Sequence, residues 1–209
     1  LSINDILPGA RISNVKVQDA KSKTFFISGA GGSIGAEITR QLLSSNPRRV
    51  ILFELSEYNL FNIERECLSM KDSKSLDTEI IPILGDIRDK KNLEHIFQKF
   101  DIDHIYHAAA YKHVPLVENE NNISKAAENN ILGTLNLAKA AVASNVGSFV
   151  MISTDKAVRP TNVMGATKRF AEIIIQSLNA NASSTRLSMV RFGNVINSSG
   201  SVIPLFLDQ

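Results

Sequence analysis

The run Ser28-Gly29-Ala30-Gly31-Gly32-Ser33-Ile34-Gly35 sets Gly29, Gly32 and Gly35 at G-x-x-G-x-x-G spacing, between an apolar run and a helical pattern. Glycine at such a junction allows a tight turn, close approach of backbone N–H groups to a pyrophosphate, and close helix–strand packing. The N-terminus of the following helix adds partial positive charge toward the phosphates. A flexible turn would need the same glycines, but the context here is richer. Glu54 ends the next apolar run, at the distance where a ribose-binding acid belongs. A carboxylate there accepts hydrogen bonds from both ribose hydroxyls of an adenosine and repels a 2′-phosphate. NAD is therefore expected in preference to NADP, held by Gly29, Gly31, Gly32, Ser33, Ile34, Gly35 and Glu54. Arg48 and Arg49 precede that run and are poorly placed to clamp a 2′-phosphate. Asp86-Ile87, after the third run, fits the adenine rim, with a helix N-cap as the alternative role for Asp86.

These residues need a scaffold that brings several strand ends to one edge. Short β-rich runs at 24–28, 50–55, 79–84, 104–107, 149–153 and 187–192 alternate with helical patterns near 34–43, 58–70, 90–100, 124–144 and 163–178. Several runs are almost continuously apolar, as strands covered on both faces are. The alternation predicts an α/β fold: a Rossmann-type, doubly wound parallel sheet in the order 3-2-1-4-5-6, with the glycine turn after strand one. Residues 71–78 are polar and predict a surface loop. Residues 1–22 lack a period and predict a lead-in, followed by a dinucleotide-binding domain over 23–209.

Composition narrows the class. The chain has 209 residues, 44% hydrophobic and 21% charged, with a formal net charge of +2. Its basic residues are scattered, which argues against a nucleic-acid partner. No apolar stretch reaches membrane-spanning length. Cys67 is the single cysteine, set in helical composition, and predicts a structural thiol in a reducing cytoplasm. His95, His104, His107 and His113 show no ligand spacing with acids or with Cys67, so no metal site is expected. The start at Leu1 and the stop at Asp208-Gln209 read as those of a piece of a longer polypeptide.

Four further motifs carry a resemblance. They are His107-Ala108-Ala109-Ala110-Tyr111-Lys112-His113-Val114-Pro115-Leu116-Val117-Glu118, Asn129-Asn130-Ile131-Leu132-Gly133-Thr134, the block from Ser153-Thr154-Asp155-Lys156 to Met164-Gly165-Ala166-Thr167-Lys168, and Arg191-Phe192-Gly193-Asn194-Val195. With the glycine turn, they resemble the extended short-chain dehydrogenase/reductases, and within them the CapD-like polysaccharide-biosynthesis group of UDP-N-acetylglucosamine 4,6-dehydratases. The resemblance runs from about Ile3 to the last residue. It implies a UDP-amino-sugar substrate, tightly bound and recycled NAD, further copies of the same chain as partners, and most of the C-terminal substrate-binding part lying outside this chain. Members of the group commonly carry membrane-spanning segments before the catalytic domain. The resemblance thus implies a cytoplasmic location, either attached to the cytoplasmic face of the inner membrane through segments outside this chain or as one of the smaller soluble relatives without such segments.

The resemblance also assigns roles. Most of the superfamily uses a Tyr-x-x-x-Lys pair on one helix face. Here Lys168 is present to bind the nicotinamide ribose, but the tyrosine position is Met164, and a thioether cannot transfer a proton. That departure is itself typical of the CapD-like group. It leaves the base for the sugar 4-hydroxyl unassigned. A 4,6-dehydratase oxidises C4, removes the acidified C5 proton while protonating the departing 6-hydroxyl, and reduces C6. Asp155 is then the acid, with a raised pKa, and Lys156 the base at C5, with a lowered one. Thr154 polarises O4 or holds a relaying water. A loop ion pair is the alternative for Asp155 and Lys156.

Ala108 and Ala109 border the cofactor. Lys112 and His113 face substrate or, equally well, solvent. Asn130 supports the site or bends a helix, and Asn194 contacts substrate or shapes a turn. Two rivals remain: an epimerase of the same fold, which ordinarily keeps the tyrosine, and a non-catalytic dinucleotide sensor, which would not need Thr154, Asp155, Lys156 and Lys168 together.

Overall fold

In a computed structural model, which describes residues 19–182, 184–193 and 195, six parallel strands form one sheet in the order β3-β2-β1-β4-β5-β6. The strands are β1 (Thr24–Ser28), β2 (Arg49–Glu54), β3 (Glu79–Leu84), β4 (His104–His107), β5 (Ser148–Thr154) and β6 (Arg186–Phe192). Each lies within one residue of its predicted run. β3 occupies an edge, where Pro82 can lack an N–H without breaking an interior ladder. The expected Rossmann-type doubly wound order is the observed one.

Two helices, α1 (Ser33–Leu43) and α2 (Glu57–Ser73), cover one face over β1 and β2, burying Phe25, Ile27, Val50, Leu52 and Cys67. The other face packs on α3 (Lys90–Lys99), α6 (Thr134–Ala143) and α7 (Val163–Asn181), around Phe26, Ile51, Phe53, Ile105, Phe149 and Met151. Successive strand residues point to opposite faces. Phe25 and Phe26 thus enter different layers, which explains why β1 is buried at every position. The Cys67 thiol is completely buried, and burial pushes its pKa up to about 12, as a structural thiol requires.

Two expectations need correction. Residues 124–144 are not one helix. A four-residue α4 (Val114–Val117) leads to α5 (Glu120–Ala127), then a π-helical segment (Glu128–Gly133), then α6. The widened turn is stabilised by tertiary bonds from Asn130, which local periodicity does not encode. The expected loop at 71–78 is also shorter, since α2 continues to Ser73. Among the described residues, no helix is long and apolar enough to cross a membrane.

Candidate active site

The glycine turn leaves β1 at Ser28 and enters α1 with Gly32 as its N-cap. Gly29 adopts φ 71°, a conformation that side chains disfavour, and lies against the backbone of Ala108 and Ala109 beyond β4. A Cβ on Gly35 would stand 2.0 Å from the Gly29 carbonyl oxygen, so only glycine lets the helix begin this close to the strand. The first α1 amides, at Ser33, Ile34 and Gly35, precede the first helical hydrogen bond, from Ala36 to the Gly32 carbonyl. They form the end of the helix at which an anion binds.

Glu54 closes the turn from β2. Its Oε2 accepts from the Gly31 amide at 3.0 Å, and its Oε1 accepts from the amides of Leu55 (3.0 Å) and Ser56 (3.1 Å). A carboxylate has about four acceptor positions. Three are filled by the backbone, and one on Oε2 remains for a ribose hydroxyl. Glu54 therefore shapes the cradle as well as facing it, a structural role that spacing alone did not show. The cradle fits a dinucleotide: there is no side chain at Gly29, Gly31, Gly32 or Gly35 to fill it, and a carboxylate stands at its ribose end.

Asp86 is not a helix N-cap; Asp89 caps α3 instead. The Asp86 carboxylate is held by the Arg88 guanidinium, at 2.8 Å from Nε to Oδ2, and by the Arg88 amide at 2.8 Å. The Arg88 hydrogen bonds lower its pKa. The Ile87 side chain points into the core against Gly133, where a Cβ would meet its Cδ1 at 2.5 Å. Only the Ile87 backbone is left to border the cofactor.

β5 ends at Thr154, and Asp155–Ala157 form a 3-10 turn. The Thr154 hydroxyl donates to Asp155 Oδ1 at 3.0 Å, and the Lys156 ammonium reaches the same oxygen at 3.3 Å. Both hydrogen bonds, Thr154 first, lower the Asp155 pKa, the opposite of the rise expected for a resting acid. The Asp155 side chain is 58% accessible, so burial adds little to oppose these donors. The geometry in this state is that of an ion pair at the mouth of the site.

Lys168 is buried, and its Nζ donates to the Ile152 carbonyl of β5 at 2.7 Å. Burial, eased by Glu172, moves its pKa down to about 8. Met164, one turn earlier on α7, packs with Val117 and Ala126 in a small apolar cluster. Lys112 and His113 are exposed in the loop after β4. Asn194 lies outside the described residues. Among the described residues, no three His, Cys, Asp or Glu side chains gather closely enough to hold a metal ion.

Two buried networks support this edge. The Thr134 hydroxyl donates to the Asn130 carbonyl at 2.7 Å, so it can only accept from His107 Nε2, 2.9 Å away. His107 Nδ1 then accepts from the Ser28 hydroxyl at 2.7 Å. Burial, with help from the Lys168 charge, pushes His107 down to about 3 and keeps it neutral. Asn130 accepts from the Tyr111 amide and donates to the Tyr111 carbonyl and the Thr167 hydroxyl, clamping the loop after β4 to α7. It thus both supports the site and belongs to the π-helical bend. The second network, around Glu172, went unassigned from sequence. Its signal was the four-residue step from Lys168, which puts both on one helix face.

His107 gives a pH prediction. Its folded pKa lies below that of an exposed histidine, so the unfolded chain binds more protons between about pH 6.5 and pH 3. Stability should fall as pH drops through that window, by up to about 1.4 kcal/mol per pH unit per histidine, and should not respond to it above pH 6.5. His104, lowered mainly by burial, adds to the same slope. Urea unfolding at stepped pH should show a shallower slope between pH 5 and 6.5 for His107→Asn; an unchanged slope would refute the assignment.

An apolar recess of about 380 Å³ opens beside the site, between Ile34 and Ile38 of α1 and Ile152, Phe192 and Gly193 at the ends of β5 and β6. The glycine turn, Glu54, the loop after β4, Thr154-Asp155-Lys156 and Lys168 all meet at the carboxyl edge of the sheet.

Known proteins are similar to this chain in sequence and fold. The family described as "Polysaccharide biosynthesis protein" matches residues 25–209. The capsular polysaccharide biosynthesis protein CapD of Staphylococcus aureus is 47% identical over 92% of this chain and 31% of its own length. A UDP-N-acetylglucosamine 4,6-dehydratase (inverting) of Campylobacter jejuni is 35% identical, covering 88% of this chain and 52% of that protein. A UDP-glucose 4-epimerase of Rickettsia canadensis is 34% identical, over 90% and 53%. The chain thus spans between about a third and a half of the length of these relatives. Among solved structures, Pen from Bacillus thuringiensis superposes with a TM-score of 0.81 at 39% identity, over 92% of this chain and 57% of that one. The dTDP-glucose 4,6-dehydratase DesIV of Streptomyces venezuelae, solved with NAD, shares the fold at 24% identity, with a TM-score of 0.70 over 88% and 61%. By the family match, the chain belongs to the polysaccharide biosynthesis protein family.

Proposed function

We propose that this chain is the dinucleotide-binding and catalytic core of a nucleotide-sugar 4,6-dehydratase, with UDP-N-acetylglucosamine as substrate and NAD as cofactor. The observation that carries the proposal is the Thr154-Asp155-Lys156 turn at the end of β5, above buried Lys168 and across one sheet edge from the glycine cradle. The 35%-identical dehydratase supports the substrate class, and the free acceptor position on Glu54 supports NAD over NADP.

When bound, the dinucleotide supplies the acceptor for hydride from sugar C4 and its return at C6. The residues of the chain do the rest. Glu54 and the first α1 amides hold the ribose and pyrophosphate, and Lys168 reaches the second ribose. Thr154 hydrogen-bonds the oxygen at C4 as it becomes a carbonyl, and the 4-hydroxyl proton passes to a relaying water that Thr154 holds. Lys156 removes the C5 proton, and Asp155 protonates the departing 6-hydroxyl. Asp155 and Lys156 form an ion pair, so a proton must pass from Lys156 to Asp155 as substrate covers them, which leaves an amine as base and a protonated carboxyl as acid. Water exclusion then raises the Asp155 pKa, and engagement of Lys156 at C5 removes a donor that lowers it. Lys112, His113 and Asn194 are proposed to contact the nucleotide sugar. We place the reaction in the cytoplasm, where a lone buried thiol such as Cys67 remains reduced.

The epimerase reading draws on the 34%-identical relative, and Met164, buried and without a titratable atom, counts against it. Incubating the complete protein with UDP-N-acetylglucosamine and weighing the product separates the readings. Loss of one water is expected. An isomer of unchanged mass would mean epimerisation, and no turnover with NAD still bound would mean a sensor.

A further inference from the structure

Glu172 is a completely buried carboxylate that no step above uses. It lies on α7, four residues beyond Lys168, and all its acceptor positions are filled. Oε1 accepts from the Ser153 hydroxyl and Arg191 Nε, each at 2.7 Å. Oε2 accepts from Arg191 Nη2 at 2.6 Å and Arg169 Nη1 at 3.0 Å. Burial alone would raise its pKa, but the bonds from Arg191, Ser153 and Arg169 outweigh it and hold the carboxyl down to about 2. The two guanidiniums remain partly exposed, with side-chain accessibilities of 40% for Arg169 and 38% for Arg191.

The partners of this carboxylate matter because of where they sit. Ser153 directly precedes Thr154, and Arg191 lies on β6, which pairs Ser153 with Arg191 and Thr154 with Phe192. One face of α7 therefore grips the end of β5 at three levels. Gly165 lies against the Lys156 carbonyl, where a Cβ would stand 2.3 Å away; Lys168 binds the Ile152 carbonyl; and Glu172 binds the Ser153 side chain. Thr154, Asp155 and Lys156 are exposed or half-exposed, and within the turn the Thr154 hydroxyl and the Lys156 ammonium both reach Asp155 Oδ1.

We propose that Glu172 is a positioning residue: by binding Ser153 and Arg191 together it fixes the ends of β5 and β6, and with them the Thr154-Asp155-Lys156 turn. The kinetic part of this inference rests on the dehydratase reading; the structural part does not. A displacement of about 1 Å at reacting groups can cost about 10²-fold in rate without loss of binding.

The test uses the complete protein with Glu172→Gln and the milder Ser153→Ala, which deletes only the hydroxyl linking strand to carboxylate. Amide hydrogen exchange is read first, since it needs no substrate. Exchange at residues 154–158 is expected to rise at least about tenfold in both variants, with residues 29–35 unchanged. In turnover of UDP-N-acetylglucosamine, kcat is expected to fall about 10²-fold for Glu172→Gln and severalfold for Ser153→Ala, with KM nearly constant. Glu172→Asp should recover part of the loss. Unchanged exchange at 154–158 in Ser153→Ala overturns the proposal, as does uniformly faster exchange across the sheet. If wild type fails to dehydrate while both variants show the localised exchange, the functional reading falls and the positioning role stands.

Discussion

Asp155→Asn in the complete protein is expected to slow water loss from UDP-N-acetylglucosamine by roughly 10²–10⁴-fold, the usual contribution of a positioned general acid, while NAD affinity stays nearly unchanged. The separation follows from the layout. The cofactor cradle is built from the glycine turn, Glu54 and Lys168, none of which bonds to the Asp155 carboxylate. Asparagine is isosteric and still accepts from Thr154, so the 3-10 turn persists. Lys156→Ala should preserve cofactor binding too, but abolish exchange of the C5 proton with deuterated solvent. Calorimetry with NAD, mass spectrometry of the product and deuterium incorporation check the three parts. Near-normal dehydration by Asp155→Asn would return the pair to a loop ion pair, the arrangement that Lys156 and Asp155 make at 3.3 Å.

Glu54→Ala is expected to weaken NAD by roughly 10–150-fold, equivalent to one charge-assisted hydrogen bond of about 1.5–3 kcal/mol. Two effects combine. The ribose loses its acceptor, and the amides of Gly31, Leu55 and Ser56 lose the carboxylate that holds the cradle's rim. The second effect weakens NAD and NADP alike, whereas the lost ribose bond weakens NAD alone and the lost repulsion of a 2′-phosphate favours NADP alone. The measure of ribose recognition is therefore the ratio of the two affinities, which should shift toward NADP. Gly35→Ala is the control. Its Cβ collides with the Gly29 carbonyl, so it should weaken both dinucleotides with little change in ratio. A wild-type preference for NADP, or an unchanged ratio in Glu54→Ala, would remove Glu54 from the ribose site.

Much of this molecule is determined locally. The strands were legible because a parallel sheet covered on both faces must be apolar at consecutive positions, and Phe25-Phe26-Ile27 or Val50-Ile51-Leu52-Phe53 have no other reading at that length. The glycine turn was legible because φ 71° at Gly29 favours glycine and a Cβ at Gly35 would stand 2.0 Å from the Gly29 carbonyl oxygen, so the requirement is written in residue type. Sheet order followed from the βα alternation with the glycine turn after strand one, the pattern of a Rossmann-type doubly wound sheet.

The tertiary structure decided what depends on groups far apart in the chain. The π-helical segment at Glu128–Gly133 exists because Asn130 reaches Tyr111 and Thr167, 19 and 37 residues away. The neutral state and tautomer of His107 depend on Ser28 and Thr134, and the ionised state of Asp155 on exposure that no motif records. Glu172 shows the limit most clearly. As a residue type four positions after Lys168 it looks like one more helix-surface carboxylate. Only the close approach of α7 to β5 and β6 buries it among Ser153, Arg169 and Arg191. Sequence spacing constrains neighbours along an element, whereas desolvation and charge pairing are set by whatever the fold packs against it.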